Sequence, residues 1–477
     1  MGRKGKMEAV LSVLNQAFQD FGATIVLPIV LFAISVAMGA KPGRAFRAAL
    51  LFGVAFTGLN VVLTMMVESV GPAVAMMVEE SGLNLPVMDL SWVAGAGIAW
   101  SSKLGILIIP LCVVLDLILI KAGLVRILSV DVWNMWHYAW TGALTYMITG
   151  NLVMGFAAAS LVMIINTIMA DSLAEVFSSY YKVPGVVGYT AESINVRFTA
   201  VLIRPLFEKL GLLKWNVSAE QIKARIPLMQ PEVVGLFLGI AIGILGHLKS
   251  LNSMASWVAI AQLGMVLATA MVLLPITSKM LMEGLIPIVD ILKKRARKAG
   301  ITDMYIGVDD IMVMGEANTI SVILLMQPIA VLLMLVVPWN RVMLVDLIDM
   351  GLVTGLGAVC IFGGNIVASV IFGAIITIAG FALFNLTTPA FTQIVQQTAF
   401  AELPAGVGAN NATYFWTWTN YLVYNFFSTI IGPVVVLAAA LGFAYWVKNN
   451  RARWLKFVGY VAPAETEVEG AIPSLAE

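Results

Sequence analysis

The stretch Val130–Asn166, VDVWNMWHYAWTGALTYMITGNLVMGFAAASLVMIIN, decides how the rest of this chain is read. It is almost wholly apolar, yet Asp131, Asn134 and His137 stand at its head and a Gly150-Asn151 step interrupts its middle. A bilayer core needs about 20 apolar residues to cross, so the run is long enough to span. Polar groups inside it cost a few kcal/mol each unless they face protein or water. The pattern returns as VDLIDMGLVTGLGAVCIFGGNIVASVIF, with Val345-Asp346 at an offset of 215 (345 − 130) and Gly364-Asn365 at 214 (364 − 150). So odd a segment occurring twice implies that the chain is built from two copies of one unit.

Composition places both copies in a membrane. Of 477 residues 60% are apolar and 12% charged, against roughly 25% charged in ordinary soluble domains. The net charge of +1 gives no footprint for nucleic acid. Cys112 and Cys360 lie in apolar runs without CxxC or CxxH company, so neither a disulfide nor a metal site is expected. No phosphate-binding GxxxxGK[ST], GxSxG or HExxH pattern occurs, and no cofactor or catalytic machinery is expected.

Working outward, Glu8–Phe18 has the pattern of an amphipathic surface helix, followed by spans at about Phe21–Ala40, Ala45–Val67 and Ile98–Ile120. A charged amphipathic stretch, MVESVGPAVAMMVEE, separates the second from the third. Beyond the broken fourth span, a Gly/Pro-rich segment near 183–195 suggests a re-entrant element before a short fifth crossing. The order then repeats: spans at Val233–Leu248, Ala255–Ile276 and Thr319–Val337, the second broken segment, a re-entrant segment near 403–413, and a last apolar stretch, Tyr414–Val447. Glu283 and Pro287 echo Glu68 and Pro72. The expected fold is an all-α polytopic membrane protein of about eleven transmembrane helices in two inverted repeats. The expected divisions are residues 8–215, a cytoplasmic linker 216–231, residues 232–447, and a cytoplasmic tail 448–477.

The inversion follows from charge. Basic residues concentrate on cytoplasmic loops, which puts Lys41/Arg44/Arg47, Lys121/Arg126, the run Lys293–Lys298 and Lys448/Arg451/Arg453 inside. The amphipathic piece of the first copy ends in Glu79-Glu80 and its twin in KKRARK, so equivalent ends lie on opposite sides. This scheme sets the N-terminus outside and the C-terminus in the cytoplasm. Small residues on the first two spans of each copy (Gly53, Ala55, Gly58; Gly239, Gly243, Gly246) suit close helix approach, either across a homodimer or within one protomer.

Inverted repeats bind solutes where broken helices meet near the midplane. The candidate breaks are Gly95–Ser102 with Gly315–Thr319, and Gly185–Ser193 with Gly406–Thr413. They offer Trp100, Ser101, Tyr189, Thr190, Glu192, Glu316, Asn318, Asn410 and Asn411 as hydrogen-bonding groups. His137 and Thr141 are four apart and share a helix face. His137 and Glu316, ionisable in apolar surroundings, are the strongest candidates; His247, at a span end, is read as interfacial. Each of the others serves equally well as a plain interhelical hydrogen bond.

The runs VDVWNMWHYAWTGAL, TIVLPIVLFAISVAMGAKPGRAF and ESVGPA, with the closing basic helix, resemble the galactitol-type membrane (IIC) component of the bacterial phosphoenolpyruvate-dependent sugar phosphotransferase system (PTS). The likeness covers roughly residues 8 to 460. It implies a homodimeric permease of the ascorbate/galactitol superfamily in the inner membrane, with a scaffold domain and a mobile core domain. It also implies that separate IIA and IIB proteins bring the phosphoryl group to a sugar or polyol. His137 with Thr141, the Tyr189–Thr190 hairpin and the Glu316 break match the substrate site of that superfamily. Thr190 and Glu316 stand where galactitol members tend to carry histidine, which leaves other polyols and sugar acids open. Two other classes compete: an ion-coupled secondary transporter with Glu316 or Asp116 as ion site, and a receptor or scaffold without a lined cavity.

Overall fold

The computed structural model describes residues 23–460 apart from 38, 82–84, 106, 132, 216, 222–229, 299–302, 345–346, 399, 404–405, 412–416 and 428–430. The surface helix expected at Glu8–Phe18 and the second Val-Asp pair, Val345-Asp346, lie outside the described residues. Among those described, six helices are long and apolar enough to cross a bilayer.

Two helices are much longer than the spans expected of them. α1 (Ala23–Ala37) leads into α2 (Pro42–Ser81), which runs unbroken through the amphipathic stretch that ends near Glu79-Glu80. Its counterpart later in the chain is α10 (Met254–Lys298), which likewise absorbs the stretch ending in KKRARK. At 1.5 Å per residue they measure about 60 and about 68 Å, twice a hydrocarbon core. Only Pro42–Val70 and Met254–Leu281 are apolar enough to span; the charged ends continue the helix beyond. α9 (Pro231–Gly246) packs on both. A Cβ at Gly239 would lie 2.5 Å from the Leu263 carbonyl oxygen, and one at Gly246 would lie 2.7 Å from that of Ala73. The small residues of α9 are therefore spent on packing within the protomer.

The remaining helices are shorter and come in pairs around breaks. α3 (Ser91–Ser101) and α4 (Ile108–Lys121) divide the expected third span, so the break falls after Ser101 rather than over Gly95–Ser102. α5 (Trp136–Thr149) and α6 (Leu152–Ser172) meet at the Gly-Asn step. Gly150 takes φ +66°, the left-handed conformation glycine adopts without strain, and Asn151 Oδ1 accepts from the Val153 and Met154 amides to cap α6. α7 (Ala174–Tyr180) and α8 (Ala191–Lys209) complete this half. In the second half α11 (Ala317–Val336), α12 (Leu347–Ala358) and α13 (Ile366–Thr398) follow, with Gly364 at φ +82° and Asn365 Oδ1 accepting from the Ala368 amide. α14 (Trp418–Phe426), α15 (Ile431–Asn449) and α16 (Arg451–Phe457) close the chain.

The fold departs from all-α in one respect. Where helices break, six short strands form: β1 (Val87–Asp89), β2 (Ile127–Ser129), β3 (Val186–Gly188), β4 (Tyr305–Val308), β5 (Val342–Met343) and β6 (Gly408–Asn410). They assemble into two three-stranded parallel sheets, ordered β5-β1-β6 and β2-β4-β3. Each sheet takes its central strand from one half of the chain and both flanks from the other. Non-helical backbone buried away from water needs partners for every N–H and C=O, and strand pairing supplies them. Hydropathy alone carries no trace of such pairing.

Candidate functional site

The sheet β2-β4-β3 brings three breaks together. Strand β2 ends at Ser129, and Asp131 follows; its carboxylate accepts from the Asn134 amide (3.2 Å) and from Asn134 Nδ2 (2.7 Å). That bond organises the single 3-10 turn Trp133–Met135, from which α5 starts. The carbonyl of Asn134 in turn lies 2.8 Å from His137 Nδ1. A carbonyl only accepts, so Nδ1 carries a hydrogen and Nε2 is the ring atom turned to the site.

Nε2 of His137 lies 3.4 Å from Glu192 Oε1, and the two side chains are 1% and 7% exposed. Neither atom has a hydrogen-bond partner among the described residues. Two atoms so placed are balanced by a proton held between them or by a hydroxyl that donates to one. One turn along α5 the buried Thr141 hydroxyl is also without a partner among the described residues.

Glu192 sits in the first turn of α8, just past the β3 hairpin. Thr190, between them, receives Nδ2–H of Asn134 (3.4 Å) and the Asp310 amide (3.2 Å), and donates its one hydrogen to Asp309 Oδ1 (3.2 Å). Asp309 caps a 3-10 turn over Asp310–Val313 through the Ile311 amide. Asp131 and Asp309 both border a small cavity of about 30 Å³, whose further lining includes the apolar Leu31, Phe52, Phe56 and Leu281 from α1, α2 and α10. That volume holds about one water molecule. No ion pair to Asp131 or Asp309 forms among the described residues; a carboxylate edge on an apolar chamber offers hydroxyl acceptors and no anion-binding cation.

The residues named from sequence thus divide. His137, Thr190 and Glu192 share one network, and Thr141 lies on the same helix face as His137. Tyr189 turns the other way, its phenol bonded to the Thr167 hydroxyl in the core, because adjacent residues of an extended segment point to opposite sides. Ser101 donates to the Gly97 carbonyl of its own helix, while Trp100 is buried within α3. Glu316 spends its carboxylate on the start of α11, accepting from the Asn318 and Thr319 amides, Asn318 Nδ2 and the Thr319 hydroxyl at 2.8–3.1 Å. Asn318 bonds the Ala219 amide and the Tyr180 phenol. No bond joins this cap to His137 among the described residues. Asn410 donates to Phe384, Thr387 and Thr388, in the other sheet, and Asn411 is buried there beside Gly95.

Sequence reasoning passed over Asp309, Asp310 and Arg197 and left Asp131 and Asn134 out of the site. A signal was present: an acidic residue directly after a short β-rich run occurs at Val130-Asp131 and again at Val308-Asp309. Pairing by sequence offset matched Asp131 with Asp346 and so missed that the strands bring it to Asp309.

The description "PTS system sugar-specific permease component" belongs to a family model that matches residues 17–406. Among relatives, the galactitol-specific EIIC component of Escherichia coli K12 is 30% identical over 75% of this chain and 78% of its own length. A putative permease IIC component of the same strain is 28% identical over 80% of this chain and 86% of its own. With six helices of membrane length among its described residues, this chain belongs to the galactitol-type family of PTS IIC permeases.

Proposed function

We propose that this permease binds a neutral polyol, galactitol or a close analogue, at His137, Glu192, Thr141, Thr190, Asn134, Asp131 and Asp309. A separate IIB protein, loaded by IIA, then phosphorylates it at the cytoplasmic face. The observation that carries the reading is the facing pair His137 Nε2 and Glu192 Oε1, both buried and neither bonded to a donor among the described residues. A polyol supplies such donors, and each buried hydroxyl left unpaired would cost about 1–3 kcal/mol. Phosphorylation makes the step one-way, because a phosphate dianion is repelled by Asp131, Asp309 and Glu192. In this conformation Glu316 and Asn318 secure the start of α11, Trp100 and Ser101 stay within α3, and Tyr189 bonds Thr167.

The wider architecture in this reading is two inverted repeats, residues 8–215 and 232–447, with about eleven crossings counting the short helices. The strand exchange supports it. β1 pairs with β5 and β6, and β4 pairs in the same way with β2 and β3; Val87↔Val342 thus mirrors Tyr305↔Ile127. Helices α1, α2, α9 and α10 form the scaffold, and the two sheets with their helices form the core that moves against it. The chain is placed in the bacterial inner membrane with the N-terminus outside, and as a homodimer whose contact lies on scaffold surfaces other than the spent glycines of α9.

Calorimetric titration of purified protein with hexitols, pentitols and sugar acids tests the site. His137→Ala and Glu192→Gln should each weaken polyol binding roughly 10- to 150-fold, the worth of a hydrogen bond to a charged group. Wild-type affinity in both folded variants would remove the site from this location.

A further inference from the structure

We propose that Arg197 is the positioning residue of this site, a deepening that rests on the polyol-site reading above. Its side chain is 0% exposed, and Nη2 lies 3.1 Å from Asp310 Oδ1, itself 0% exposed. A wholly buried ion pair costs desolvation that well-packed apolar side chains of similar volume would avoid. Stability alone therefore does not account for it. The remaining contacts show what the pair holds. Nη1 donates to the Gly188 carbonyl at the end of β3 (3.2 Å), and Nη2 donates to the Leu356 carbonyl in α12 (3.2 Å). The guanidinium plane covers the Phe177 ring of α7 at 4.6 Å. One cation thus ties α8, the β3 hairpin, the turn after β4 and α12 together, across the two halves of the chain.

From Arg197 the constraint reaches the site in two bonds. Arg197 fixes the Asp310 side chain, and the Asp310 amide donates to Thr190 Oγ1. With its acceptor positions taken by Asp310 and Asn134, the Thr190 hydroxyl has one direction left for its hydrogen, toward Asp309. Gly188 makes room for the arrangement: a Cβ there would fall 1.2 Å from Asp310 Oδ1. Arg197 touches no solute in this scheme. It aims the acceptors that do.

The double variant Arg197→Met/Asp310→Leu tests this, since it removes both charges and leaves volume in place. Two measurements are made on purified protein: calorimetric titration with galactitol, and hydrogen exchange at 186–190, which needs no solute. Positioning predicts a transition temperature near that of the wild type, galactitol affinity weakened about tenfold or more, and amides at 186–190 exchanging about tenfold faster. Wild-type affinity and wild-type exchange in a folded double variant would overturn it. If the double variant does not fold, Arg197→Lys decides: the charge stays, but one ammonium cannot reach Asp310, Gly188 and Leu356 in the geometry of a planar fork. Lost affinity with a retained transition temperature supports positioning, and retained affinity overturns it. Failure of both variants to fold makes the pair a folding element and overturns it as well. Failure of the polyol-site reading is distinct, for then His137→Ala would keep galactitol affinity.

Discussion

The sheets β2-β4-β3 and β5-β1-β6 are built alike, and their chemistry is opposite. The first gathers Asp131, Thr190, Asp309 and Asp310, with two of its carboxylates on the edge of a small cavity. In the second, Asn410 spends its amide on the Phe384 carbonyl and the Thr387 and Thr388 hydroxyls at 2.8–3.0 Å. Asn340 does the same locally, bonding Met334 and Val342. Asp89 accepts from the Ser91 amide two residues on. Acid side chains that border a chamber are available to a solute, whereas amides already bonded to carbonyls and hydroxyls of the chain are available only to the fold. The strand exchange supplies a rigid frame at both places. Which frame serves a ligand is decided by side chains.

The largest test of that contrast exchanges the two chemistries. Asp309→Asn should weaken polyol affinity by roughly 10-fold or more, since a charged acceptor is lost, with little change in thermal stability. Asn410→Asp should do the reverse. It removes the donors to Phe384, Thr387 and Thr388 and buries a charge, costing about 1–3 kcal/mol while affinity holds. Equal losses of affinity in both would erase the distinction between the sheets. Next in size is Gly188→Ala, where the new methyl meets the Asp310 carboxylate; overpacking of this kind costs about 1–3 kcal/mol. Its control is Gly442→Ala in α15, where nothing lies within 4 Å and helix propensity should add about 0.5–1 kcal/mol. Thermal unfolding in detergent reads both.

A smaller effect is expected at the cap of α11. Glu316→Gln should cost about 1 kcal/mol of stability and leave polyol affinity unchanged; a large affinity loss would return Glu316 to the site. The smallest effect lies at the start of β2, away from Asp131 and Asp309, where Arg126 and Arg451 converge on Glu175. Burial pushes the Glu175 carboxyl up, but the hydrogen bonds and charges of the two arginines outweigh it and hold it below its ordinary 4.5. A group lowered in the folded state adds stability above its unfolded value, and that stability is lost as pH falls through the folded one. Thermal stability should therefore decline as pH falls below that ordinary value, and Arg451→Ala should flatten the decline.

Much of this molecule was legible in one dimension because its causes are local. Apolar length set the spans, and Gly150-Asn151 and Gly364-Asn365 announced breaks because a left-handed glycine and a capping asparagine act on their own neighbours. His137, Thr190 and Glu192 were candidates because polar groups in apolar runs are conspicuous. The same rule promoted Glu316, and composition could not tell that its carboxylate would be consumed by amides two and three residues on. What only the tertiary structure decided is which breaks meet. Parallel strands from different halves bring Asp131 beside Asp309 and set Arg197 against Asp310, contacts that span more than a hundred residues and leave no periodic mark. Hydrophobicity counts residues along the chain, whereas hydrogen bonds and ion pairs depend on distance in space, and distance between remote segments is fixed only by folding.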